Sequence, residues 1–264
     1  MEWRQQMTGL PSGQVVSRHA GPPDAPPLLV LHDAGADTVD APAWADLARD
    51  HHVVQLLLPG YRGSTPPPVG VGIGWVTDHL RSVMDQLGWP RAHVAGTSLG
   101  GWFAIELALA HPALVSGLTL CDPAGLHHPQ TYLLALFADG RAAAGTEALL
   151  EQTMIAHVPD LKRPVTDMPP AVKRAVMAPY VSDMAAAALC SWNPWTPDPG
   201  MVRRLQRLHV PTTILWGERD ALIPLAHGRA MARAIPDAHL EVVQGAGHLL
   251  PLEHPGRIAS HVRA

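Results

Sequence analysis

Three side chains, far apart in the sequence, could act together as a nucleophile, a base and an acid. Ser98 stands in Gly96-Thr97-Ser98-Leu99-Gly100, between two glycines. Asp220 closes Gly217-Glu218-Arg219-Asp220, and His248 closes Gly245-Ala246-Gly247-His248. A serine hydroxyl is a weak nucleophile near neutral pH. It becomes effective when a base takes its proton and an acid orients that base. A hydroxyl, an imidazole and a carboxylate in one site would form and then hydrolyse an acyl-enzyme, provided that these distant segments meet.

The elements around each residue are suited to that. His93-Val94-Ala95 reads as a short strand and 102–110 as a helix. A serine between glycines at a strand-to-helix turn is a nucleophile elbow. The turn is too tight for bulky neighbours, and it sets the serine oxygen beside the positive end of the following helix. Residues 212–217 read as a buried strand with Asp220 in the loop after it. Residues 239–243 read as another strand, followed by the Gly-x-Gly-His loop. Both polar residues thus lie past the C-terminal ends of strands, where open α/β sheets bind ligands. His248 is one of 16 histidines, and that loop is what singles it out.

Four segments carry a resemblance. Gly-Thr-Ser-Leu-Gly-Gly, Leu-Trp-Gly-Glu-Arg-Asp, Gly-Ala-Gly-His-Leu-Leu-Pro-Leu-Glu-His-Pro and Leu58-Pro59-Gly60-Tyr61-Arg62-Gly63-Ser64-Thr65 are similar to signature regions of the α/β-hydrolase superfamily. They span residues 58–255. Ser98, Asp220, His248 is that superfamily's order of serine, acid and histidine. The fourth segment often begins with Asp in the family; here it begins with Leu58. The resemblance implies a mostly parallel sheet flanked by helices, with a helical cap insertion. It implies a Ser98–His248–Asp220 serine hydrolase needing no cofactor and no metal. Glu218 stands two residues from Asp220, and Asp122 follows the apparent strand 118–121. Some members place the acid after that earlier strand, so both carboxylates remain alternatives. Asp122 also reads as a pocket-wall or structural carboxylate.

Acyl transfer builds charge on a carbonyl oxygen, which two backbone amides usually hold. Leu99, just after the serine, supplies one. The other should come from the loop after the strand 28–31, and Ala34 is the residue in position. The family often has His-Gly at the start of that loop; this chain has His32-Asp33. His32 reads as a brace for the loop. Asp33 adds a side chain, and a charge, where the family is usually bare.

Composition narrows the alternatives. A chain of 264 residues can bury one substantial core, commonly with an insertion. Apolar residues make up 47%, as in a globular protein. A net charge of −4, with Lys162 and Lys173 the only lysines, gives no nucleic-acid footprint. Cys121 and Cys190 make no disulfide framework and read as free thiols. With no apolar leader after Met1 and no run long enough for a membrane span, a cytoplasmic, non-membrane protein is expected. His51-His52 and His127-His128 lack the spacing of a metal site. Gly70-Val71-Gly72-Ile73-Gly74 lacks the strand context of a phosphate loop and reads as a flexible loop.

Strands at 14–20, 28–31, 53–58, 93–95, 115–121, 212–217 and 239–243 alternate with helices at 43–50, capped by Asp40, and at 73–87 and 102–110. Continuous apolar strand runs indicate a sheet covered on both faces. The alternation breaks after residue 123. Helices are expected at 131–137, 145–157, 171–178 and 182–190, with no clear strand. Residues 1–123 and 209–264 therefore read as the core and 124–208 as a cap that shapes the pocket and excludes water. The cap's apolar content suggests an apolar small-molecule substrate. Candidate pocket residues are Asp33, Trp102, Asp122, Tyr132, Leu136, Trp192, Leu222 and Leu249, with Met154, Met177 and Trp195 as further wall residues. Three readings follow. One is a hydrolase of small to medium carboxylic esters. The second is a C–C bond hydrolase, thioesterase or lactonase with the same triad. The third is a ligand-binding or cyclase-like protein on the same scaffold. The oligomeric state has no signal.

Overall fold

The computed structural model describes residues 2–126, 186, 200–220 and 222–263. Its eight strands form one sheet in the order β1-β2-β4-β3-β5-β6-β7-β8. They are β1 (Arg4–Leu10), β2 (Gly13–Ala20), β3 (Pro27–Leu31), β4 (His52–Leu57), β5 (Ala92–Thr97), β6 (Val115–Cys121), β7 (Thr212–Gly217) and β8 (His239–Val243). β1 pairs antiparallel with β2, and β2 with β4; every other pairing is parallel.

Strand side chains alternate between faces, and both faces here are dry. Leu29, Leu31, Val54, Leu56, Val94, Leu120, Ile214 and Trp216 face one core. Helices α2 (Ile73–Gln86), α3 (Leu99–Ala110), α4 (Met201–Leu205) and α5 (Leu225–Ala234) cover it. Leu28, Val30, Val53, Ala95, Cys121 and Leu215 face the other. That side is covered by α1 (Pro42–Leu47), α6 (Leu250–Glu253) and α7 (Pro255–Val262). Each fully buried Leu or Val contributes about 1.5–3 kcal/mol by leaving water. These two cores hold the strand ends, and the loops leaving them, in register.

The expected core elements are present within a residue or two, apart from the start of the elbow helix and the end of α1, which stops at Leu47 rather than Asp50. α3 begins at Leu99 rather than Trp102, directly at the serine. The strand β1 was not anticipated. Its residues are polar or partly exposed, and its ladder to β2 is what defines it. α4 to α7 were likewise unassigned. Asp40 does not cap α1: it belongs to a 3₁₀ turn and its carboxylate pairs with Arg18, leaving Ala41 at the cap without a side-chain bond. Gly74 is not loop but lies in the first turn of α2, with Gly72 at its N-cap. Cys121 is a buried free thiol. The expected cap helices, Cys190 and the candidates Tyr132, Leu136, Met154, Met177, Trp192 and Trp195 lie outside the described residues. Ala186 is helical and buried, and a Cβ on Gly60 would come within 2.9 Å of it.

Candidate active site

Ser98 sits between β5 and α3 with φ 51° and ψ −112°. A non-glycine residue there costs on the order of 1–3 kcal/mol and persists only where its surroundings enforce it. Here the Ser98 N–H donates to the carbonyl of Cys121 (2.9 Å), while the amides of Ala124 (2.9 Å) and Trp102 (3.1 Å) donate to the Ser98 carbonyl. The flanking glycines are steric necessities. A Cβ on Gly96 would come within 2.5 Å of the Gly100 carbonyl oxygen, and one on Gly100 within 2.2 Å of the Leu31 carbonyl oxygen.

The loops after β7 and β8 bring Asp220 and His248 together. His248 Nδ1 meets Asp220 Oδ2 at 2.7 Å, in a pair whose carboxylate is fully buried. The other Asp220 oxygen accepts the amides of Leu222 (2.8 Å) and Ile223 (2.9 Å). With Nδ1 spent on Asp220, Nε2 is the nitrogen left for a substrate or a serine. Burial alone lowers the His248 pKa. The Asp220 charge and its hydrogen bond, with the charges of Asp33 and Glu253, outweigh burial and hold it above the ordinary 6.5.

The elbow and the Asp220–His248 pair meet at residues 121 and 122. Cys121 takes the Ser98 amide, and Asp122, next in the chain, has a carboxyl oxygen within 4.8 Å of both Asp220 and His248. Ser98 is 8% exposed and His248 5%. Among the described residues no hydrogen bond joins the Ser98 hydroxyl to His248. In unliganded hydrolases such bonds are often long and tighten when substrate arrives. The convergence of Asp122, Asp220 and His248 is the kind of cluster that can hold a cation, and the hydrogen bond already joining two of its members accounts for it.

The amides of Leu99 and Ala34 donate to no hydrogen bond among the described residues. The loop that carries Ala34 is fixed from several sides. His32 Nε2 accepts the Leu58 amide (3.0 Å), so Nδ1 bears the proton and donates to the Asp33 carbonyl (2.6 Å). Burial drives the His32 pKa down to about 4, and the ring stays a neutral brace. Tyr61 packs edge-on against His32 and donates its hydroxyl to the Ala34 carbonyl (3.0 Å). Asp33 turns inward on its own loop: Oδ1 accepts the Thr38 amide and hydroxyl, and Oδ2 accepts the Gly35 amide. The departure from His-Gly thus closes the loop with a carboxylate.

The remaining candidates are dispersed. Leu222 and Leu249 border the Asp220 and His248 loops, through backbone amides bonded to Asp220 and Glu253. Trp102 is half-buried on α3, its ring against Gly125 and its Nε1–H donating to Glu106. Arg204 from α4 grips that same glutamate with two nitrogens. Asp122 lies fully buried behind the Asp220–His248 pair. Glu253 was not singled out as a site residue, although it stands in the segment that carries the resemblance. It accepts the amides of Gly247 (2.7 Å) and Leu249 (3.0 Å), the two neighbours of His248. Its spacing of five from the histidine was the available signal.

A family model for the alpha/beta hydrolase fold matches residues 26–255. The chain belongs to the α/β-hydrolase family and is a hydrolase. It is 26% identical over 252 residues to Carboxylesterase YbfK of Bacillus subtilis, across 92% of this chain and 81% of that one. It is 26% identical over 255 residues to 2-hydroxymuconate semialdehyde hydrolase of Pseudomonas putida, across 88% and 84% of the two chains. The structure superposes on naproxen esterase (carboxylesterase NP) from Bacillus subtilis with a TM-score of 0.76. That match has 23% identity and covers 99% of this chain and 90% of the other. As an α/β-hydrolase the chain acts on a small molecule, and no described helix is long and apolar enough to cross a membrane.

Proposed function

We propose that this α/β-hydrolase cleaves small to medium carboxylic esters through an acyl-enzyme on Ser98. His248 Nε2 takes the serine proton as Oγ attacks the acyl carbon. Asp220 keeps the imidazole in the Nδ1–H tautomer and stabilises its charged form. The Leu99 and Ala34 amides hold the oxyanion. Collapse expels the alcohol, which receives the proton from His248. Water, deprotonated by His248, then attacks the acyl carbon and frees the acid and the serine.

The observation that carries this reading is the buried 2.7 Å His248–Asp220 pair, with Asp122 near it and the neighbouring Cys121 bonded to the Ser98 amide. Two amides at the oxyanion positions that donate to no hydrogen bond among the described residues and the carboxylesterase relatives support it. Residues 124–208 serve in this reading as a cap whose apolar lining receives the substrate's hydrocarbon part.

Hydrolysis of a p-nitrophenyl ester series tests it. The Ser98→Ala variant is expected to lose on the order of 10³-fold or more in kcat. Turnover by that variant at the native rate would sink the proposal. The similarity to 2-hydroxymuconate semialdehyde hydrolase supports a second reading, in which the same triad opens a carbon–carbon bond. Turnover of 2-hydroxymuconate semialdehyde in preference to every ester of the series would favour it.

A further inference from the structure

Behind the Asp220–His248 pair lies a third acidic group that this mechanism does not use. Asp122 follows β6 with φ 46° and is completely buried. Its amide donates to the Leu215 carbonyl (3.0 Å), and its Oδ1 accepts the Gly217 amide (2.8 Å). Its Oδ2 is sealed from water and receives no hydrogen bond from a donor among the described residues. The nearest acidic neighbour is Asp220, with a carboxyl oxygen within 4.8 Å of one of Asp122. The other titratable groups around Asp122 are His248, Glu253 and the neighbouring Cys121 thiol.

Two carboxylate oxygens are both acceptors, so they join in a hydrogen bond only through a proton. Two negative charges this close in a buried site are costly, so one of the pair stays protonated. The donors around the two groups decide which. Asp220 takes two backbone N–H groups and the imidazole, whereas Asp122 takes one N–H. The negative charge therefore resides on Asp220 and the proton on Asp122. In agreement, burial first and the Asp220 charge second push the Asp122 carboxyl well above the usual carboxylate range, against the Gly217 amide.

We propose that Asp122 persists as a neutral carboxylic acid whose Oδ2 proton is donated to Asp220, making it a positioning residue that orients the triad acid and moderates its pull on His248. This rests on the triad reading given above. The arrangement extends the relay inward to four groups, from Ser98 through His248 and Asp220 to Asp122, without moving a proton off Asp122 during turnover.

Infrared difference spectroscopy of the whole protein, native against Asp122→Asn, tests it without turnover. The native protein is expected to show a protonated-carboxyl C=O band at neutral pH that the variant lacks. Asparagine offers a neutral N–H donor of the same shape, so Asp122→Asn is expected to keep the native acidic limb of kcat/KM against pH. Its kcat is expected to stay within about threefold of native, while Asp122→Ala, which offers no donor, loses about tenfold in kcat with little change in KM. A missing band overturns the proposal. So does an acidic limb displaced to lower pH in Asp122→Asn, because that displacement would mean a negative charge had been removed from beside His248. Failure of the triad reading shows separately, as full esterase activity in Ser98→Ala.

Discussion

His248 gathers carboxylates at several distances, and its protonation sets the pH range of the site. Asp220 is in contact, while Asp33 and Glu253 act through charge. A base works only while neutral. Activity should therefore fall as pH drops through a His248 pKa held above the ordinary 6.5. The acidic limb of kcat/KM is expected above that value. Asp220→Asn removes the largest raising influence, so the limb should move to lower pH. The same change costs on the order of 10⁴ in kcat, because the imidazole loses its tautomer and orientation. A pH–rate series on the two proteins checks both effects, and a limb that stays in place would contradict the electrostatic assignment. Ser98 and His248 are legible in the sequence because their neighbours are glycines that the geometry requires. Asp122 is not legible in the same way. Its partners Gly217 and Asp220 lie some hundred residues away, so its role exists only once β6 and β7 are paired.

At the scale of elements, the site is held by loops whose backbone bonds continue the sheet past its strands. Asp122 N bonds Leu215, Glu218 N bonds Val243 and Arg219 N bonds Ala246. A Cβ on Gly217 would come within 1.9 Å of the Gly247 carbonyl oxygen, so the end of β7 and the histidine loop pack backbone to backbone. Glu253 at the end of α6 fastens that loop through the amides on either side of His248. Glu253→Ala leaves both N–H groups without their acceptor, at about 1–3 kcal/mol for each one that water cannot reach. The expected outcome is a lower Tm together with a roughly tenfold lower kcat, with Glu253→Gln between the two. Thermal unfolding and steady-state kinetics on the pair read this out, and native values for both in Glu253→Ala would refute the fastening role. The parallel strands were legible because a sheet covered on both faces needs unbroken apolar runs. β1 was not, because an edge strand with exposed polar residues carries no such pattern. The Asp33 turn was hidden for another reason: its carboxylate is claimed by Thr38, five residues on, and no motif encodes that bond.

Across the whole molecule, the sheet acts as a rack that brings three C-terminal strand ends to one edge. β5 delivers Ser98, β7 delivers Asp220 and β8 delivers His248, with β6 between them supplying Cys121 and Asp122. α4 then ties the chain back to α3 through Arg204 and Glu106, next to Trp102. The most direct test of the proposed nucleophile is mass-spectrometric mapping of a fluorophosphonate adduct on the native protein. One phosphonyl group per chain is expected, on the peptide that contains Ser98. It should be absent from Ser98→Ala and should form far more slowly in His248→Ala. An adduct on another residue, or Ser98 labelling at an unchanged rate without His248, would contradict the account.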